Sequence, residues 1–491
     1  MLTILANNFL GKTPSWYKLT ILTFLVVNPL VFYFVSHFAA GWLLLIEFVF
    51  TLALALKCYP IPSGGLLALE AVIIGITTPA GVYKEVAGNL PTLLLLIFMV
   101  ASVYYVKDVF FLLFTKTFVS IRRKYILSFL FFFISAVVSA FLDALTLMAV
   151  IISACSNFYA IYHRYLVSSR LFEGGGENAR TTEAELEEFC GFLRNIIMHG
   201  AIGTVMGGAM TLVGEPQNIM IATIMGWSFM GFFAHCSPIS VPVMAVGLIV
   251  CPLLEIFRFP GFGYRLPENA RLAILDNYTK KSQQIDRQTI YRYVIQSAAV
   301  ALLVLALAFH VAEVGLIGIA LIVVLAALTG VIKEHDFVEA FHHAMPFVTL
   351  LAIFFAILAV VHDQHLVAPL SAWVFTFKGH AQLLALYLVN GTLSFVSDNV
   401  FIATVFINEM NGAFLAGAFQ QEWYEKLAVV VNMGTNIPAM ATPNGHAALL
   451  FLLTSSLTPM IKLSYMQMVK LALPYTIAMS LTGGLVIYFW L

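Results

Sequence analysis

Ten apolar runs of membrane-spanning length occupy most of the chain: 19–37, 40–57, 63–79, 91–106, 196–223, 228–256, 294–331, 344–361, 427–456 and 470–490. A helix needs about twenty such residues to cross a hydrocarbon core, and continuous runs do not match the ten-residue alternation of an outer-membrane barrel. Composition agrees, because 61% of the 491 residues are hydrophobic and only 10% are charged, too few to cover a water-soluble globule. An all-α polytopic membrane protein embedded in a lipid bilayer is expected, with roughly ten to thirteen helical segments.

Charge then orients the chain. Basic and acidic residues balance at 25 each, so there is no bulk field for nucleic acid, which is excluded as a partner. Basic residues concentrate in Arg122-Arg123-Lys124, in Arg164 to Arg194 and in Arg258 to Arg292. By the positive-inside rule these belong to the cytoplasm. The connection from Val361 to His380 holds only Lys378, and the one from Glu409 to Lys426 is acidic, so both are expected outside. Glu173 to Glu188, with its glycines and clustered glutamates, reads as a solvated flexible loop. Lys12 and Lys18 precede the first run, which lacks a small-residue cleavage site and is expected to remain as a first helix. Cys58, Cys155, Cys190, Cys236 and Cys251 show no paired spacing, which suggests neither disulfides nor zinc, and no cofactor is expected.

Two long runs carry a central carboxylate. The first, Tyr125 to Tyr159, contains "FLFFFISAVVSAFLDALTLMAVII" around Asp143 and is basic on both flanks. The chain must therefore enter and leave on one side, as two helical halves of roughly 25 Å each would allow. The second, Leu383 to Ile407, carries Asp398 between basic-poor flanks and enters from the opposite face. Both are expected to be re-entrant hairpins. A charged side chain at the bilayer centre costs about 3 kcal/mol and is a functional-site hypothesis by default.

Placing Asp143 on Asp398 brings Ser139 onto Ser394. Downstream of each aspartate lies a glycine-rich run with a broken centre, "GGAMTLVGEPQNIMIA" and "GTNIPAMATPNGHAALL". Setting Pro216 on Pro443 puts Glu215 on Thr442 and Gln217 on Asn444. The expected fold therefore has inverted repeats, two re-entrant hairpins and two broken transmembrane helices, an arrangement that places a site at the midplane. Such breaks are tolerated where they line a polar cavity. Glu47 and Glu70 read either as proton-relay groups or as buried structural partners. His199 and His310 read as satisfied helix histidines, and "KDVFFLLFTKTFVSIRRK" from Lys107 reads as an interfacial helix on the cytoplasmic face.

At "FLDALT", "LVGEPQN", "SDNVF" and "ATPNGHAALLF" the chain resembles NhaB-type sodium/proton antiporters of the ion transporter superfamily, essentially end to end. The resemblance implies a multi-pass protein of the bacterial inner membrane that exchanges sodium for protons, expected to be electrogenic and to serve pH homeostasis. It also implies a homodimer whose transport domain moves against a scaffold. On that basis the chain divides into N-terminal scaffold helices with the interfacial helix (1–124), a first transport core (125–256), a cytoplasmic loop (257–293), second-repeat scaffold helices (294–380) and a second transport core (381–491).

Sodium is a hard ion that prefers oxygen ligands. Asp143 and Asp398 are the candidates to bind it and to exchange it for a proton. Thr146, Ser397, Asn399, Glu215, Gln217, Asn218, Thr442 and Asn444 complete the candidate set, with freed carbonyls around Val213 to Pro216. Two other readings remain open. A sodium-coupled symporter of a small organic anion would use helix N-termini to hold its anion. An intramembrane aspartyl protease would use the two aspartates as a dyad, although Phe395-Val396-Ser397-Asp398 departs from the Gly-x-Gly-Asp pattern such enzymes resemble.

Overall fold

The structure is a computed structural model and describes residues 8–54, 58–173, 178–283, 285–330, 333–342, 345–395 and 399–491. Every regular element among these residues is helical. The chain opens with α1 (Ser15–Phe34), α2 (His37–Ala53) and α3 (Pro60–Ile74), which pack on one another. Next come α4 (Pro79–Gly88), α5 (Leu90–Tyr104) and α6 (Lys107–Ser120). The first carboxylate-bearing run forms α7 (Lys124–Ser139) and α8 (Ala144–Glu173), and the first broken run forms α9 (Asn178–Met210) and α10 (Pro216–Met225). Then follow α11 (Phe229–Ile256), α12 (Glu268–Gln283), α13 (Arg287–Ala308), α14 (Val314–Thr329) and α15 (Glu334–His342). α16 (Met345–Asp363) and α17 (Ala368–Thr376) meet at a bend of 64°.

The second carboxylate-bearing run gives α18 (His380–Ser394) and α19 (Asn399–Leu415). The second broken run gives α20 (Gln421–Asn436), two 3-10 turns at Pro438–Ala441 and Pro443–Gly445, and α21 (Ala447–Thr454). The short α22 (Leu457–Met460) and the long α23 (Tyr465–Phe489) close the chain. Among the described residues, six helices are long and apolar enough to cross a membrane: α1, α11, α13, α23 and the apolar stretches of α8 and α9. The bent α16–α17 pair makes a seventh if it counts as one span.

The first carboxylate-bearing run breaks where the sequence places its aspartate, with unequal arms, while in the second α18 ends at Ser394 and α19 starts at Asn399, Asp398 lying outside the described residues. α7 has 16 residues and α8 has 30, because α8 continues beyond the apolar run into the polar segment ending at Glu173. The segment from Glu173 to Glu188, expected as a flexible loop, is helical from Asn178 onward. Its glutamates and alanines are good helix formers, and the glutamates have partners both along the helix and far from it in sequence. Glu187 pairs with Arg194 at 2.9 Å and with Lys462 at 2.8 Å, a contact that raises the Lys462 ammonium above its usual range. Glu185 accepts from Tyr162. The connection over 257–293 contains a helix, α12, with Asn269 on Glu185 and Arg271 on the Val119 carbonyl. α6 is a helix as expected, but its Phe114 and Phe118 are buried against Phe131, Phe158 and Phe192. Its aromatic face is thus turned toward the protein.

Candidate ion-binding site

The first break is closed by capping. Asp143 precedes the first residue of α8, and its Oδ2 accepts from the Thr146 N–H at 3.1 Å and the Thr146 hydroxyl at 3.2 Å. A carboxylate accepting an N–H three residues on is a helix N-cap. Only 1% of Asp143 is exposed. The break after α9 lies against this cap, since the Ala144 N–H donates to the Gly214 carbonyl at 3.2 Å and the Thr211 hydroxyl donates to the Ala140 carbonyl. Asn218 spans the gap, its amide donating to the Gly208 carbonyl at 2.8 Å and the Thr211 carbonyl at 2.6 Å. These are the carbonyls that a terminating helix leaves without intrahelical partners.

The second break repeats these contacts. The Thr442 hydroxyl donates to the Phe395 carbonyl at 2.6 Å, as Thr211 does to Ala140. Gly445 sits against the carbonyls of Ser394 and Ala439, as Gly214 sits against those of Ser139 and Gly208. Gly434 lies on the Tyr387 carbonyl, as Gly203 lies on that of Phe132. Gly203, Gly214 and Gly445 have no room for a Cβ and Gly434 only a tight fit, which is how small residues let membrane helices approach closely. Thr211 therefore corresponds to Thr442, four residues from the register obtained by setting Pro216 on Pro443. The corrected correspondence sets Glu215 opposite His446.

Each of these two residues occupies the N-cap position of the half-helix that follows its break, Glu215 at the start of α10 and His446 at the start of α21, where only His446 makes a side-chain capping bond. Glu215 Oε1 and His446 Nε2 are 3.1 Å apart, with side chains 1% and 0% exposed. The pair is in contact without the alignment of a hydrogen bond. His446 Nδ1 accepts from the Ala448 N–H at 3.3 Å, so the ring proton of the neutral imidazole sits on Nε2, toward Glu215. A second link joins the halves nearby: Gln217 donates to Asn436 at 3.0 Å, and Asn432 donates to the Ala209 carbonyl at 3.2 Å.

Buried oxygens without a hydrogen-bond partner among the described residues lie around the two breaks: Glu215 Oε1, Gln217 Oε1, Asn218 Oδ1, Asn399 Oδ1, Asn444 Oδ1 and the hydroxyls of Ser139 and Ser394. Burying an unpaired acceptor costs about 1–3 kcal/mol, and oxygens are the donor atoms a hard cation takes. The expected residues Asp143, Thr146, Glu215, Gln217, Asn218, Asn399, Thr442 and Asn444 all lie at the breaks. Asp398 and Ser397 lie outside the described residues.

Sequence reasoning missed two residues. His446 follows a glycine in "PNGHA" with no charged neighbour, so nothing local marked it. Glu255 holds a buried network, with Lys124 at 2.7 Å and His199 at 2.8 Å. The other nitrogen of His199 meets the Tyr475 hydroxyl at 2.7 Å, so this histidine is satisfied on both sides. His310 instead sits just beyond α13 and is exposed.

Helices broken at buried polar residues, inside an otherwise apolar bundle, define a multi-pass membrane carrier. The whole chain, residues 1–491, matches the model of the family described as NhaB, Bacterial Na+/H+ antiporter B. It is 50% identical over 496 residues to the Na(+)/H(+) antiporter NhaB of Pectobacterium carotovorum subsp. carotovorum (strain PC1), covering 99% of this chain and 94% of that one. It is 49% identical over 497 residues to the protein of that name from Serratia proteamaculans (strain 568), with the same coverage. The protein of that name from Citrobacter koseri (strain ATCC BAA-895 / CDC 4225-83 / SGSC4696) is 50% identical over 489 residues, 99% of this chain and 95% of that one. The chain belongs to the NhaB family of bacterial Na+/H+ antiporters, whose members are named as transporters and not as enzymes.

Proposed function

We propose that this Na+/H+ antiporter binds both of its substrates at the two breaks, with Asp143 and Asp398 as the residues that exchange a sodium ion for a proton. The observation that carries this reading is the gathering of unpartnered buried oxygens around the capped Asp143. Asp143 and Glu215 supply charge from the first half. Thr146, Gln217 and Asn218 supply neutral oxygen from the same half, and Ser397, Asn399, Thr442 and Asn444 supply it from the second. Sodium and proton compete for these oxygens, so one enters only as the other leaves. No further energy source is required. If one sodium displaces protons from both aspartates, the exchange moves net charge and is electrogenic.

The recurring contacts at the breaks support a repeat in which each half contributes one hairpin and one broken helix. The distribution of Lys and Arg supports opposite entry of the two hairpins, which makes the repeat inverted. On this reading the core moves against a scaffold formed by the helices over 1–124 and 294–380. The working unit is a homodimer in the bacterial inner membrane, a location consistent with the bacterial relatives.

Everted membrane vesicles with a pH-sensitive dye test the proposal. Sodium-driven dequenching is expected to vanish in Asp143→Asn and in Asp398→Asn. Full activity in either variant removes that residue from the mechanism.

A further inference from the structure

Away from the breaks, three helices of the N-terminal bundle bring polar groups together. Asn28 of α1 is fully buried, and its Nδ2 donates to Glu47 Oε2 of α2 at 2.7 Å and to Glu70 Oε2 of α3 at 2.8 Å. Glu47 and Glu70 are 2% and 7% exposed. One amide therefore gives both of its hydrogens to two carboxylates. No Lys, Arg or His forms an ion pair with either carboxylate among the described residues.

The neighbouring elements offer no compensating charge. On α1, Lys18 is ten residues from Asn28, and on α2, His37 is ten residues from Glu47, about 15 Å away along the helix axis in each case. α3 carries no other charged residue. α16, which packs on α2 and α3, carries His362 and Asp363 at its far end, where they pair with Glu85 and Thr77. Two bare carboxylates in this setting would face each other uncompensated in an apolar surrounding, which is strongly unfavourable.

Two atoms of the cluster identify what is missing. Glu47 Oε1 and Asn28 Oδ1 are both buried and both lack a hydrogen-bond partner among the described residues. They are the other polar atoms of the two groups already joined by the bond from Nδ2 to Oε2. A proton on Glu47 Oε1 turns the unpartnered acceptor into a donor aimed at the unpartnered amide oxygen. It closes a cyclic acid–amide pair, satisfies both orphans and leaves one negative charge, on Glu70, held by the remaining amide hydrogen.

We propose that Asn28, Glu47 and Glu70 form a second proton-binding site, separate from the two breaks, with the proton carried on Glu47. The step is a simple protonation, in which the acid O–H forms on Glu47 Oε1 and Asn28 Oδ1 accepts its hydrogen bond. The proton comes from and returns to water.

Infrared difference spectroscopy of the purified full-length protein in lipid nanodiscs, taken across a pH titration, tests this through the carbonyl stretch of a protonated carboxylic acid. Beyond the bands of Asp143 and Asp398 at the breaks, one further such band per protomer is expected in the wild type, lost at high pH. It should persist in Asp143→Asn and be absent in Glu47→Gln, whose amide keeps the pairing with Asn28. In Glu70→Gln the neighbouring negative charge is gone, so the band should disappear at lower pH than in the wild type. A band unchanged in Glu47→Gln overturns the proposal, as does a titration unmoved in Glu70→Gln.

Discussion

Glu215 and His446, which are distant in sequence, meet at 3.1 Å in the buried centre of the protein, each at the head of the half-helix that follows its own break. Removing one partner of a buried polar contact leaves the other unpaired, at a cost of about 1–3 kcal/mol. His446→Ala is therefore expected to lower the thermal unfolding temperature of the purified protein and to reduce sodium-driven proton movement at least several-fold. His446→Gln, which keeps a donor toward Glu215, should lose less on both measures. Equal losses in the two variants would show that the contact with Glu215 is not what His446 supplies.

Asn218 separates two roles. Its amide donates to the Gly208 and Thr211 carbonyls, while its Oδ1 is unpartnered. Asn218→Asp keeps an oxygen for a cation but cannot donate, and each stranded carbonyl costs about 1–3 kcal/mol. Fluorescence-detected thermal melts are expected to show Asn218→Asp as unstable as Asn218→Leu. A wild-type melting point in Asn218→Asp would mean that the two carbonyl contacts do not hold the break closed.

Gly207 lies on the Ala136 backbone with no space for a Cβ, whereas Gly412 has open space around it. Overpacking costs about 1–3 kcal/mol even where neighbours are side chains that can shift, and here the neighbour is backbone. Gly207→Val should give no monodisperse peak in size-exclusion chromatography of a fluorescent fusion. Gly412→Ala, in the interior of α19, should match or exceed the wild-type yield, because alanine is the better helix former.

Topology is open to direct labelling. Ser282 and Gln421 both have exposed side chains, and all five cysteines are buried. In a cysteine-free background, an impermeant maleimide applied to intact cells should label Gln421→Cys and leave Ser282→Cys unlabelled. Labelling at both, or the reverse, breaks the parity on which opposite hairpin entry rests.

The sequence locates the breaks better than it sets their register. Asp143 can be read at once, because a carboxylate inside an apolar run is costly enough to need a function. The matching of the two breaks cannot, because proline is tolerated at the first position of any helix. Pro216 begins α10 and Pro443 begins a 3-10 turn, so the two prolines mark similar local starts at different places. The true markers are Thr211 with Thr442 and Gly214 with Gly445, and their partners lie on another helix. His446 stays hidden for the same reason. Glycines and clustered glutamates make Glu173 to Glu188 resemble a linker, while Lys462 and the Arg265 N–H, which satisfy two of those glutamates, come near only in the fold.

α8, α10 and α21 begin at the breaks, with Asp143, Glu215 and His446 at their N-cap positions. A helix start carries about half a positive charge, so the backbone of this region, taken alone, is polarised to attract an anion. With the ion held at the breaks as proposed, cation preference is imposed by side chains against the polarity of the main chain. Asp143 and Glu215 reverse the sign of a field that the helices set up, and the same backbone with neutral caps would be charged to hold a carboxylate or phosphate.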